Sequence, residues 1–413
     1  MAQIPGGNET VDNANNIQAP EAQREAHWLA ALRPMAATLP ESGIMTMINY
    51  GSDKAGVVPF WAGEGDAPTP AFIAEAAIEA LRQGHTFYTY QRGIPQLRQA
   101  VAAYVHRHFL ADVDPERVIV TGSGMQAIMQ TVQALVGPGD EVVVVSPVWP
   151  NIFAAIHMQE AIARPVPLQW AQDAWRLDLD RLFDACGPKT RALFLNTPGN
   201  PTGWIMEPED MLRVQDFARA RGLWLIVDEV YGQFVYDRPR VTSFLEVMDP
   251  DEQLIVVNTF SKNWSMTGWR VGWVVIPHSR ALGQVYENLV QYNTSGVPAF
   301  LQYGCVTALT DGDAYLKSLV EQCRQGRALV CERLATVSRV RLIWPQGAFY
   351  LFFQVEGEPD SLALAKRLVD EAQVGLAPGS AFGAGGEGFL RLCFAASPTT
   401  LRTGVERLVT ALA

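Results

Sequence analysis

Lys262 stands just past the apolar run LIVVNTF at 254–260, with the hydroxyls Thr259 and Ser261 beside it and Arg270 downstream. A lysine beside the end of a buried strand loses hydration, which lowers its pKa toward the neutral amine. A neutral amine attacks carbonyl carbons to form a Schiff base. Taken alone, a Ser-Lys pair at a strand end reads as an ordinary surface lysine, so the stretches upstream decide. Asp228 closes a second apolar run, LWLIVDEV at 223–230. A buried carboxylate there needs a cation or hydrogen-bond donors, or it becomes neutral; the plainer alternative is a helix N-cap. Tyr231 follows three residues later and reaches the same space. In NTPGNPTG at 196–203, two prolines and two glycines force an irregular loop that fixes Asn200 between Gly199 and Pro201. GSGM at 122–125 lies between a strand and a helix, where backbone N–H groups make an anion site suited to a phosphate. The same stretch fits GxGxxA, the dinucleotide fingerprint, which requires an acidic residue ending the next strand. Here Asp140 and Glu141 begin that strand and Ser146-Pro147 end it, so a phosphate site is expected and a dinucleotide site is not. Trp149 in SPVWPN offers a flat face to an aromatic ligand, or simply packs. Tyr88 and Tyr90 lie in the aromatic loop HTFYTYQRGIP, where the plainer reading is loop packing.

The elements that must hold these residues are short β-branched runs alternating with amphipathic helices from Arg117 onward. Strands are expected at 118–120, 141–145, 192–196, 223–230, 254–260 and 270–276. Fully apolar strands alternating with helices specify an α/β fold with a mostly parallel sheet covered on both faces. Ligands of such sheets bind at the carboxyl ends of the strands, and Ser123, Trp149, Asn200, Asp228 and Lys262 all lie just past those ends. Helical patterns at 281–309 and 314–337, then short strands at 347–353 and 389–395, predict a second, smaller α+β domain. The resulting division is a flexible polar tail (1–26), an N-terminal part of the small domain (27–60), a large domain (61–305) and the C-terminal small domain (306–413).

Composition narrows the classes. The 413 residues are 48% hydrophobic and 18% charged, the profile of a soluble globular protein of this size. A net charge of −11 argues against nucleic acid as a partner. No apolar run is long enough to cross a bilayer, and the N-terminus lacks the basic and apolar regions of a signal peptide. Five cysteines without a CxxC spacing point to reduced thiols and a cytoplasmic location. His106 and His108, two apart on a predicted helix, do not share a face, so no metal site is expected.

NTPGNPTG, DEVY, TFSK and MTGWRVGW, in this order, resemble the class I/II aminotransferases of the fold-type-I pyridoxal-phosphate superfamily, those like bacterial aspartate aminotransferase in particular. The likeness runs from about Gly63 to Arg391. It implies a seven-stranded-type sheet sandwiched by helices, pyridoxal 5'-phosphate as cofactor, and amino acid and 2-oxo acid as substrates. Lys262 resembles the lysine that forms the internal aldimine and shuttles the substrate proton. Asp228 resembles the carboxylate that keeps the pyridine nitrogen protonated, and Asn200 and Tyr231 the pair that hydrogen-bonds the phenolic oxygen. Trp149 resembles the aromatic stacked on the ring; Ser123, Gly124, Met125, Thr259 and Arg270 resemble the phosphate cup. Tyr88 looks like the tyrosine lent to the neighbouring subunit's phosphate, which implies a homodimer. Arg391, Asn200 and Gly63 resemble the substrate-binding set, in which the guanidinium grips the α-carboxylate as a two-pronged fork. One position departs: where the aspartate enzymes often carry a lysine for the distal carboxylate, this chain has Met125, an apolar, flexible thioether. The expectation is therefore a neutral or aromatic amino donor. A lyase or cyclase on the same scaffold is the alternative, since fold and cofactor do not fix reaction type.

Overall fold

The computed structural model describes residues 21–171 and 173–413. A first compact unit ends at Pro40 and a second spans 41–413. The first holds the helices Glu21–Ala31 and Pro34–Ala37, so residues 21–26, expected as the end of the tail, are helical. Residues 1–20 of that expected tail lie outside the described residues.

The second unit is built on seven strands: β1 (Val118–Thr121), β2 (Glu141–Ser146), β3 (Ile162–Pro167), β4 (Thr190–Asn196), β5 (Trp224–Asp228), β6 (Leu254–Thr259) and β7 (Gly272–Val275). They lie in the order β1-β7-β6-β5-β4-β2-β3. Successive side chains of a strand point to opposite faces, and here both faces are apolar. Val143, Val145, Leu193, Leu195, Leu225, Val227 and Val256 pack on one side. Val142, Val144, Phe194, Ile226, Ile255 and Val257 pack on the other. Each such side chain, fully buried, stabilises the sheet by roughly 1.5–3 kcal/mol relative to exposure, which is why these runs read as unbroken hydrophobic stretches.

All pairings are parallel except those of β7, which runs antiparallel to both neighbours, with Gly272 opposite Thr121 and Thr259. The reversal matters for function. Arg270 precedes its strand, yet the reversal brings it to the edge where Ser123 and Lys262 follow theirs. Strand β3, IARPVP, was not expected from the sequence; its two prolines are tolerated because it is the sheet's edge, paired only with β2. The long helical pattern expected over 281–309 is two helices, Arg280–Gln291 and Ala299–Asp311. They are parted at Ser295 and Gly296, both with positive φ, and at Pro298, which cannot continue a helix.

Beyond the helix Asp313–Leu334 comes a four-stranded antiparallel sheet of β8 (Val340–Leu342), β9 (Tyr350–Val355), β10 (Ala377–Pro378) and β11 (Phe389–Cys393), ordered β8-β9-β11-β10. Phe352 of β9 and Ala377 of β10 flank Arg391 of β11. The helices Ser361–Ala372 and Pro398–Leu412 also belong to this part of the chain. No helix among the described residues is long and apolar enough to cross a membrane.

Candidate active site

At the carboxyl edge of the large sheet lies a cavity of about 320 Å³. Its walls include Gly63, Gly124, Met125, Trp149, Asn200, Asp228, Tyr231, Thr259, Lys262, Arg270 and Arg391. These come from eight separate stretches of chain, and each had been expected in the site from sequence.

Asp228 ends β5 and is buried, with the Val230 N–H at 3.3 Å as a long hydrogen bond to its carboxylate. Burial pushes its carboxyl up to about 7, against the weaker pull of that N–H and of Lys262. A carboxylate raised in this way and open to a cavity calls for a cation. Asn196 holds the neighbourhood in place: its amide donates to the Asp228 carbonyl at 3.0 Å, and its Oδ1 accepts the Asn200 N–H at 2.7 Å.

Lys262 lies in the one-turn helix Phe260–Asn263 that follows β6. Desolvation lowers its ammonium to about 8. Nζ donates to the Gly63 carbonyl at 2.7 Å. Among the described residues it has no carboxylate within ion-pair distance. A Cβ at position 63 would collide with the Tyr350 hydroxyl, so the chain can pass this close only as glycine.

Arg391 is 1% exposed. Nη1 donates to Asn200 Oδ1 at 3.1 Å and Nη2 to the Trp61 carbonyl, while Nε has no partner among the described residues. Its guanidinium carbon lies 4.5 Å from the ring centre of Tyr350 and 4.9 Å from that of Phe382. A buried guanidinium with a free Nε and no carboxylate among the described residues is set up for an anion brought in from outside.

The anion-binding corner forms at the start of the helix Gly124–Leu135, whose backbone N–H groups lack helical partners. Gly272 makes room beneath it, since a Cβ there would sit 2.6 Å from the Gly124 nitrogen. Thr259, Ser261 and Arg270 complete the corner, with Arg270 anchored by donation to the Thr267 carbonyl at 2.6 Å. Ser123 stands at the start of the same helix, where its hydroxyl accepts the Gln126 N–H at 2.9 Å as an N-cap. Tyr88 is 94% exposed on its loop and forms no wall of this cavity.

Sequence reasoning missed several lining residues. Tyr350 places its hydroxyl 2.7 Å from that of Tyr231. Ile44 and Ile48, from the helix Gly43–Gly51, and Ile128 add apolar wall. Glu64 and Thr267 are joined by a 2.6 Å hydrogen bond. Ser261 was visible beside Lys262; the isoleucines carried no local signal, being distant in sequence.

The residues fit pyridoxal phosphate: a buried amine and a buried carboxylate, neither with an ion-pair partner among the described residues, and a helix N-terminus with an arginine for a phosphate. Comparison with known proteins agrees. The family model described as aminotransferase class I and II matches residues 55–408. An aspartate aminotransferase of Thermotoga maritima is 34% identical over 91% of this chain and 96% of its own length. An aromatic-amino-acid aminotransferase of Thermococcus litoralis is 32% identical over 89% and 94%. The structure of Thermus thermophilus aspartate aminotransferase with maleate superposes with a TM-score of 0.85, at 30% identity over 92% of this chain and 100% of that one.

Proposed function

The chain belongs to the class I and II aminotransferases, which depend on pyridoxal phosphate, and we propose that it moves the amino group of a neutral or aromatic L-amino acid to a 2-oxo acid, with Lys262 as anchor and proton carrier. The observation that carries this reading is the meeting of Lys262, Asp228 and Arg391 at one cavity, none paired with an opposite charge among the described residues. When bound, the cofactor supplies an electron sink for the pair released when the substrate's Cα–H bond breaks.

The protein's own residues do the rest. Asp228 holds the cofactor's ring nitrogen protonated. Asn200 and Tyr231 would donate to its phenolic oxygen, and Trp149 would offer its ring an aromatic face. Gly124 and Met125, through the backbone, bind its phosphate together with Thr259, Ser261 and Arg270. Arg391 would take the substrate α-carboxylate and so fix which Cα substituent faces Lys262, whose neutral amine would accept the proton released there and hold it for return. Replacing Arg391 with lysine is expected to raise KM for the donor about tenfold or more, as the fork becomes a point charge; steady-state kinetics checks it.

The donor's side chain meets Met125, Ile44, Ile48 and the carboxylate of Glu64. Among the described residues the lining cations are Lys262, Arg270 and Arg391, each already assigned, so this subunit's own wall offers a second substrate carboxylate no further cation. Relatives named for aspartate and for aromatic amino acids are about equally similar, and the wall chemistry favours the latter kind. The enzyme works as a cytoplasmic homodimer in which Tyr88, exposed in its own subunit, reaches the neighbouring site.

Adding single amino acids to the holoenzyme tests this. A neutral or aromatic donor should bleach the band near the visible edge, and a 2-oxo acid should restore it. A strong preference for aspartate over neutral donors would refute the donor assignment, and bleaching that no oxo acid reverses would refute transamination.

A further inference from the structure

Tyr350 opens β9, fully buried, and lines the cavity. In the sheet it stands opposite Cys393, two positions along from the Phe352–Arg391 pair, so Tyr350 and Arg391 share a face. One ring face therefore lies against the Arg391 guanidinium at 4.5 Å, while the hydroxyl is 2.7 Å from that of Tyr231. The two tyrosine rings meet nearly at right angles, 84°, with centres 5.5 Å apart. The groups facing Tyr350 are thus Tyr231, Arg391, Cys393 and, beyond Gly63, Lys262.

We propose that Tyr350 is a positioning residue that ties the carboxylate-binding guanidinium of Arg391 to the hydroxyl of Tyr231, alongside the contact through Asn200. This rests on the aminotransferase reading of the site. Burial holds the Tyr350 hydroxyl protonated far above its usual range. Either hydroxyl of the pair can donate; in this arrangement Tyr350 is the donor, and the Tyr231 proton is left for the cavity, toward the cofactor's phenolic oxygen. A donor that is itself hydrogen-bonded at its oxygen donates more strongly. The ring face, meanwhile, keeps the guanidinium plane turned to the substrate carboxylate.

The test uses reconstituted enzyme and four variants: Tyr350→Phe, Tyr231→Phe, the double mutant and Tyr350→Leu. Donation to the phenolic oxygen favours the deprotonated chromophore, in which that oxygen carries its full negative charge. Weakening it should raise the pH midpoint of the visible band, in Tyr350→Phe by about 0.5–1 unit, the ~3–10-fold worth of one hydrogen bond. In the Tyr231→Phe background the same change should add nothing. Binding of 3-phenylpropionate, a non-reacting aromatic carboxylate followed by the same band, should stay within about twofold in Tyr350→Phe, which keeps its ring. It should weaken ~3–30-fold in Tyr350→Leu, which loses the cation–π face. Should the leucine variant not fold, the phenylalanine pair decides alone. An unchanged midpoint in Tyr350→Phe, or an equal shift with and without the Tyr231 hydroxyl, overturns the proposal. Wild-type enzyme without a band responsive to amino acids would instead sink the aminotransferase reading, and this proposal with it.

Discussion

Lys262→Ala is expected to lower kcat/KM by at least ~10⁴-fold and to remove the band near the visible edge, through loss of one group with two duties. As general base and acid at the substrate's Cα the amine contributes ~10²–10⁴-fold, and as cofactor anchor it contributes further. Geometry supports both duties: Nζ lines the cavity, held at 2.7 Å from the Gly63 carbonyl rather than by a carboxylate that would keep it charged. Burial lowers its pKa to about 8, so the neutral, attacking form grows as pH rises through 8 and then levels off. Loading of the apoenzyme with pyridoxal phosphate should follow that profile, measured as the initial rate of band appearance. A small primary amine added to the alanine variant should restore part of the proton transfer. Turnover within tenfold of wild type would remove Lys262 from the mechanism.

Lys262 and Asp228 were legible in the sequence for a common reason. Each is a charged residue placed within a few residues of an apolar run, and burying that run on both faces carries the charge to the sheet's carboxyl edge. Asn200 was legible because NTPGNPTG leaves the backbone little freedom. Arg270 is different: its motif marked it, but only the antiparallel course of β7 explains how a residue preceding a strand reaches that edge. Tyr350 could not be singled out, since in GAFYLFF a tyrosine reads as strand core, and core is what most of its ring is. Ile44 and Ile48 belong to the cavity through tertiary packing alone. Ser123 was less legible. A hydroxyl at a helix start reads equally as ligand or cap, and here the Gln126 N–H takes it.

Asp228→Asn is expected to pull activity and stability in opposite directions. The amide keeps the shape and an acceptor for the Val230 N–H but carries no charge, so the ring nitrogen loses its counter-ion. In a water-poor cavity an oriented charge is worth more than in solvent. Losing one such preorganised partner costs at least ~3 kcal/mol, or ~10²-fold in kcat. Stability of the apoprotein should move the other way. Folding raises the Asp228 pKa to about 7, from a normal value near 4 in the unfolded chain. The folded state therefore binds the proton more tightly, and stability is lost as pH rises through that window, by a sum on the order of 4 kcal/mol once pH exceeds 7. An asparagine avoids the loss, so apo Asp228→Asn should melt higher than the apo wild type at pH 8 and at nearly the same temperature at pH 4. The cofactor reverses the balance: its cationic ring supplies the missing partner, and the wild type should gain more from loading than the variant does. Thermal melts of both proteins, apo and holo, at the two pH values give the comparison directly. A variant with near-normal kcat would show that Asp228 is not the counter-ion, and an apo wild type no less stable at pH 8 than its variant would show that burial does not strain this carboxylate.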